Sequence, residues 1–397
     1  MPWAKQIAQS GNPFRKRRAA GFTLVEMMVS IVVLLVLMTI IAQIIQMVNQ
    51  AWKKTSQSTG AMQQARVAFE RLTRNLSQAT LNTYYGYYYA SGSTTPSYYM
   101  RQSELEFMSG NGPVNWPSFI SSSVGNATQI THAVFFQAPL GVVSSTNASN
   151  YGNLTSLLNA CGYFIIYGKD TLRPTFLSTF SNAPPNEYRY RLMEYIQPSD
   201  YLNIYTSGTV TTTGSTVPPW IANGIPDLTV SPPASPITVR PLASNIIALI
   251  IMPEQFTSGT STTGAQQNTS YVNTQANSYN YDSAYEATAV TGNSQLPTAN
   301  QLPPLIKVIM VAIDESSAIK LAAANAAATT NSPPNLVPTT LFQNPANLFT
   351  SGGVEGDLGK LEDILNAVPG NLSSNTLKLN YYIFQTDVII RGSKWSS

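Results

Sequence analysis

Apolar positions along the chain fall into three regimes. From Met27 to Trp52 no residue carries a charge and apolar side chains fill most positions. This run reads as a helix that is apolar all round, longer than the roughly 20 residues that cross a hydrocarbon core of about 30 Å. Beyond Trp52 the apolar positions thin to one stripe, Met62, Ala65, Phe69, Leu72, Leu76 and Ala79, at spacings of three and four. Gln63, Gln64, Glu70, Arg71, Arg74 and Gln78 occupy the opposite side, so this part is expected to pack one face on a head and wet the other. No proline occurs between Pro13 and Pro96, and the pattern predicts a helix from Phe22 to about Leu81, roughly 90 Å long at 1.5 Å per residue. Gly60, which costs about 1 kcal/mol relative to Ala in a helix interior, is its expected bend. Gln43, Gln46 and Gln50 form a polar line at helical spacing that suits either contacts with neighbouring helices or entry into the headgroup zone.

In the third regime short β-branched and aromatic runs recur: 104–108, 130–136, 162–168, 188–196, 245–252, 305–313 and 378–390. Pro, Gly and Asn clusters separate them, which reads as strands. Only two helical patterns intervene, at 317–327 and 357–368, so antiparallel pairing is favoured over a doubly wound parallel sheet. Tyr188 and Tyr190 alternate with Arg189 and Arg191, predicting one buried and one wet face. Residues 255–303 are dominated by Ser, Thr, Asn, Gln, Gly, Ala and Tyr and read as a long polar surface insertion. The fold class expected is α+β, a long helix packed on an antiparallel β-rich head. The expected divisions are a basic leader over 1–21, an apolar helix over 22–52, an amphipathic helix over 53–81 and the head over 82–397.

Charge changes the picture at one end. Only 10% of residues are charged, against about 25% in an ordinary soluble domain. Lys5, Arg15, Lys16, Arg17 and Arg18 precede Gly21 with no acid among them. Without those five of the 22 Lys+Arg, 17 remain against 19 Asp+Glu, a formal charge of −2. The body therefore offers no electrostatic basis for nucleic-acid binding. The cluster Arg15–Arg18 is expected to stay in the cytoplasm and to place everything after about Ala51 across the membrane. A secretory signal has a shorter apolar stretch of about 7–15 residues ending in a small-residue cleavage site, which this segment lacks.

The stretch Gly21-Phe22-Thr23-Leu24-Val25-Glu26 followed by a long apolar helix resembles the prepilin class III signal of type IV pilins and type II secretion pseudopilins. The resemblance implies a pilin-like fold and cleavage by a prepilin peptidase between Gly21 and Phe22. It further implies methylation of the new Phe22 amine and retention of the helix. Glu26 takes the place of the family's fifth-position glutamate, implied to neutralise the N-terminal amine of a neighbouring subunit. A buried carboxylate is costly unless paired, which gives that role a physical reason; the alternative is a solvated Glu26 at headgroup depth in an uncleaved anchor. Residues 65–89 are similar to the Verru_Chthon cassette protein C group and, more distantly in layout, to the J-type minor pseudopilin.

Candidate chemistry is sparse. One histidine, His132, reads as a strand residue, and one cysteine, Cys161, as a small buried hydrophobe. Neither a catalytic set nor a cofactor or metal site is expected; the acidic pairs Asp314–Glu315 and Glu355–Asp357 read as solvated. Residues 83–100 hold seven tyrosines, and Tyr84, Tyr85, Tyr87, Tyr88 and Tyr89 form a candidate contact patch for a glycan or an exported protein. The alternative is a loop folded over its own sheet. The expected function is a non-enzymatic minor pilin or pseudopilin of the inner membrane, its head in the periplasm or on a periplasmic or cell-surface filament. Its expected partners are prepilin peptidase and other pilins through the helix, and its implied mature length of 376 residues favours a tip or initiation role. The competing expectation is a signal-anchored surface binding module.

Overall fold

The computed structural model describes residues 23–89, 91–110, 128–170, 173–180, 187–205, 210–212, 215–222, 224–225, 238–257, 268–271, 279–284, 298–326, 334, 336–338, 340–349, 353–369 and 376–394. The chain divides into two compact units, Met1–Thr55 and Ser56–Ser397. Helix α1, Leu24–Leu76, continues through Gly60. In the first unit its stretch Leu24–Trp52 is long and apolar enough to cross a membrane and none of it is buried within the chain. Those side chains need lipid or other helices around them.

The second unit is an antiparallel β head. Its strands in chain order are β1 (Tyr84–Tyr88), β2 (Tyr98–Gln102), β3 (Met108–Gly110), β4 (Thr128–Pro139), β5 (Leu158–Gly168), β6 (Arg189–Gln197), β7 (Val210–Thr212), β8 (Ser215–Val217), β9 (Val239–Ser244), β10 (Ile246–Thr257), β11 (Asn268–Tyr271), β12 (Tyr281–Asp282), β13 (Leu305–Ile313), β14 (Val368–Pro369), β15 (Thr376–Leu377) and β16 (Tyr381–Ile389). The shorter helices are α2 (Ala148–Tyr151), α3 (Pro219–Ala222), α4 (Glu315–Ala326) and α5 (Asp357–Asn366). One sheet has six strands in the order β12-β3-β4-β5-β6-β9 and the other four in the order β11-β10-β13-β16. The α+β expectation holds, with every described strand pair antiparallel.

Asn245 turns the chain from the first sheet to the second. It holds a left-handed φ of 64° between β9 and β10, a conformation asparagine tolerates better than most residues. Its amide N–H donates to the Tyr190 carbonyl at 2.7 Å, its carbonyl accepts from Ile313 at 2.9 Å, and its side chain donates to Glu315 at 2.7 Å. The corner is thereby bonded to β6, β13 and α4. A bulge in β4 between Ile130 and Val134 makes the second link. It turns Thr131 and His132 onto β10, where their side chains accept the N–H groups of Leu249 and Ile251 at 2.9 and 3.1 Å.

The six-stranded sheet is covered on both faces. Val134, Phe136, Cys161, Tyr163, Ile165 and Leu192 belong to the larger core with Ala65, Ala68, Phe69, Leu72 and Leu76 of α1 and the apolar residues of β10 and β13. Of the helix stripe, Met62 is exposed. The alternate residues Ala133, Phe135, Phe164, Met193 and Tyr195 form a second core under Trp220, Ile221 and Ile225. The expected wet face of β6 is therefore a dry one: Arg191 is buried and donates to the Gly168 and Glu187 carbonyls, while Arg189 donates to the Ala318 carbonyl and pairs with Glu315, each at 3.1 Å.

The expected strand over 104–108 starts only at Met108. Its backbone donors are taken by side chains: Glu104 and Leu105 donate to Asn82 Oδ1, Glu106 to Gln137 Oε1 and Phe107 to Ser283 Oγ. With those N–H groups satisfied elsewhere no ladder forms. Within the polar stretch 255–303, residues 255–257 end β10, 268–271 form β11, and 279–284, which include β12, and 298–303 are described; Tyr281 is fully enclosed with its ring edge-on to Phe107 at 5.7 Å, and the remainder lies outside the described residues.

Candidate functional site

The residues singled out at the N-terminus divide at Thr23. Arg15, Lys16, Arg17, Arg18, Gly21 and Phe22 lie outside the described residues. Thr23 precedes α1 and caps it: its hydroxyl accepts the Glu26 N–H at 3.3 Å and its carbonyl accepts the Met27 N–H at 3.1 Å. T-x-x-E at a helix start is a capping-box pattern, and Thr23 is the residue that satisfies an amide of the first turn. Glu26 is exposed in the first turn, where a carboxylate is favoured by the positive end of the helix dipole. Ser30 turns its hydroxyl back to the Glu26 carbonyl. From Met27 to Ala42 only Ser30 and Thr39 are polar, and Thr39 donates to the Val36 carbonyl at 2.7 Å.

The tyrosine stretch is a two-stranded hairpin, β1 with β2, that is not hydrogen-bonded into either large sheet. Tyr84, Tyr85, Tyr87 and Tyr88 are in β1, and Tyr89 follows it; all five are exposed. Tyr87 faces Tyr99 with centroids 4.8 Å apart, and Tyr88 stacks on Tyr98 at 4.7 Å. Tyr84 donates to Glu104 at 2.8 Å. That bond draws the Glu104 carboxyl below its ordinary range against a smaller desolvation effect.

The remaining candidates are used up by the fold. His132 Nδ1 accepts from Ile251, so Nε2 carries the proton and donates to the Phe342 carbonyl at 3.2 Å. Burial lowers its pKa to about 4 against the two backbone bonds, which fits a neutral strut between sheets. Cys161 is enclosed, and burial raises its thiol far above the reactive range. Asp314 caps α4, accepting from Ser317 at 2.7 Å and Asn380 at 3.0 Å; Asp357 accepts from the Phe342 N–H at 3.0 Å and pairs with Lys360 at 3.2 Å. These two carboxylates are structural acceptors, not solvated side chains. Among the described residues no three His, Cys, Asp or Glu side chains gather as a metal set.

Two polar clusters join residues that the sequence does not connect, and one of them takes Arg71, expected on the wet side of the helix, to the sheet. Arg71 and Asn75 of α1 meet Glu194 and Tyr163 of the sheet: Arg71 lies 2.6 Å from Glu194, Tyr163 donates to Glu194 at 2.9 Å, and Asn75 donates to Tyr163 at 2.8 Å. Arg71 and Asn75 are four apart and so share a helix face, but their partners lie far along the chain. In the second, Trp220 donates to Glu106 at 3.0 Å, and Asp282 on β12 stands beside the same carboxyl. Desolvation and the neighbouring Asp282 raise Glu106 to about 8.

Compared with known proteins, residues 16–42 match the family model described as the prokaryotic N-terminal methylation motif. No curated protein and no solved structure matches the chain. The match spans the end of the basic cluster, Gly21, Phe22, Glu26 and the first half of the apolar run, and one apolar N-terminal helix with this motif fits a single-pass membrane-anchored protein. The chain thus carries a type IV pilin-like signal at residues 16–42.

Proposed function

We propose that this protein is a non-enzymatic minor pilin or pseudopilin. Prepilin peptidase cuts between Gly21 and Phe22 and methylates the Phe22 amine, and α1 then enters a filament core. Arg15, Lys16, Arg17 and Arg18 keep the leader cytoplasmic, and the head lies in the periplasm or on the filament. Glu26 pairs with the Phe22 amine of a neighbouring subunit, which neutralises both charges in low dielectric. The size of the head supports a tip or initiation position, and the layout over residues 65–89 supports a likeness to the Verru_Chthon cassette protein C group and the J-type minor pseudopilin. The observation that carries this reading is the methylation motif placed directly ahead of an apolar helix with no buried residue of its own.

Intact-mass and N-terminal analysis of the membrane-extracted protein, from cells with and without prepilin peptidase, tests it. The expected result is a chain starting at N-methylated Phe22 only when the peptidase is present. An uncleaved chain in both would overturn it. A second reading, a signal-anchored module that binds a glycan or an exported protein, is favoured by the exposure of the hairpin tyrosines.

A further inference from the structure

Assembly through α1 leaves the tyrosine hairpin without a role. Strand alternation puts Tyr85, Tyr87 and Tyr99 on one face, where they are 71%, 51% and 65% exposed. A two-stranded hairpin gains little stability from its own contacts, so folding does not explain why this one is built from tyrosines. It is nevertheless held in place at its base: Thr83 donates to the Asn300 carbonyl at 2.7 Å, Asn300 donates back to the Arg101 carbonyl at 2.8 Å, and Arg101 donates to the Ala299 carbonyl at 3.1 Å. The aromatic surface is therefore mounted on the head and its geometry is set before any ligand arrives.

The chemistry of that surface is narrow. Residues 83–100 contain no charged side chain, and the one charge of the two hairpin strands is Arg101, opposite Tyr85. The charges at its base are engaged: Glu104 accepts from Tyr84 and Asn82, and Arg101 donates to Ala299. Nucleic acid and anionic lipid both require cations free to meet phosphate, and a charged peptide requires an opposite charge. Flat rings and phenolic hydroxyls remain. The Tyr99 hydroxyl donates to that of Tyr87 at 3.2 Å, so both hydroxyls lie at one rim of the paired rings. Such a surface suits a ligand with apolar C–H faces and many neutral hydroxyls. The hairpin also leaves the six-stranded sheet at the end where α1 stops, since Thr80 donates to the Gln137 carbonyl and Glu106 to the Gln137 side chain. The loops after β4 and β6 lie at that same end, tied together by Ser144 and Asn147 on Asp200, and they expose Tyr151, Tyr201 and Tyr205.

We propose that hairpin β1–β2 is a binding platform for an uncharged glycan chain, with Tyr85, Tyr87 and Tyr99 stacking on its sugar rings. This gives a ligand class to the second reading above and rests on it, not on processing at Gly21. The test is calorimetric titration of the full chain in lipid nanodiscs with cellohexaose, chitohexaose and xylohexaose, and capture of unfolded casein in parallel. At least one oligosaccharide is expected to bind, with affinity changing less than about twofold across a tenfold range of salt. Tyr87→Ser with Tyr99→Ser should weaken it about tenfold or more. Tyr87→Phe with Tyr99→Phe keeps the rings and should retain most of the affinity. Failure of all three sugars overturns the proposal, as does unchanged affinity in the serine variant, equal loss in the phenylalanine variant, or a steep salt dependence. Capture of casein without sugar binding overturns it in favour of an exported protein on the same surface, whereas neither ligand binding would remove the second reading itself.

Discussion

Arg71 Nε of α1 lies 2.6 Å from Glu194 Oε1 of β6, and the same carboxylate oxygen accepts the Tyr163 hydroxyl. Glu194 is nearly enclosed, with 9% of its side chain exposed, whereas Arg71 keeps 42%. The pair thus ties the helix to the sheet through an anion that has few other partners. Arg71→Ala leaves that carboxylate buried with Tyr163 alone and is expected to cost on the order of 1–3 kcal/mol. Glu194→Gln keeps an acceptor for Tyr163 and lets Arg71 turn to water, so it should cost less. Urea unfolding of the two single variants and the double variant checks this; purely additive effects would contradict the coupling.

His132 makes the head acid-sensitive. Its folded value, about 4, lies below the ordinary 6.5, so between those values the unfolded chain takes up a proton that the folded head excludes. Its contribution is complete above pH 6.5 and is lost as pH falls towards 4. Because the chain has one histidine, a single imidazole Hε1 resonance reports it. That signal should not titrate between pH 7.5 and 5; a midpoint near 6.5 would show an imidazole open to solvent.

Glu106 acts in the opposite direction. Its folded value, about 8, stands above the ordinary 4.5, so across that range the folded head retains a proton the unfolded chain releases. Stability from this site is greatest below pH 4.5 and declines as pH rises to 8. Glu106→Gln still accepts from Trp220 and removes the decline. It should be more stable than the parent at pH 7.5 and equal to it near pH 4, as measured by denaturation midpoints; parallel profiles would refute the assignment.

Gly162 and Phe135 are cross-strand partners in β5 and β4. A Cβ at position 162 would meet the Phe135 ring at 2.3 Å. The ring belongs to the smaller core, against Phe164, Tyr195 and Trp220, so it shifts only against those three neighbours. Gly162→Ala should therefore destabilise by about 1–3 kcal/mol through overpacking, although alanine normally favours a strand over glycine. A stabilised variant in thermal unfolding would contradict this packing.

Glu26 separates processing from assembly in the proposed role. The scissile bond after Gly21 lies upstream of it, so Glu26→Gln should leave cleavage intact. Loss of the carboxylate removes the partner of the neighbouring amine and should strongly reduce incorporation into filaments. Immunoblotting of sheared filaments against the membrane fraction reads both; normal incorporation would remove the charge-pairing role.

Some of this was legible in the residues themselves. The absence of charge from Met27 to Trp52, the stripe from Ala65 to Leu76 and the apolar run of β13 are local patterns, and local periodicity decides which side of an element can leave water. The signal at 16–42 is likewise contiguous, so the motif could be read without a fold. Other features depend on distant residues meeting. Arg191 is buried because the second core closes over its face, and no alternation pattern encodes what arrives from Trp220 and Ile221. The segment before Met108 loses its ladder because Asn82, Gln137 and Ser283 take its N–H groups. Tyr281 sits in a polar stretch yet becomes core because β12 is added to the edge of β3. Hydrophobic pattern determined the elements; the pairing of remote polar groups and the covering of the second sheet face were decided only in three dimensions, where each donor and each face found its partner.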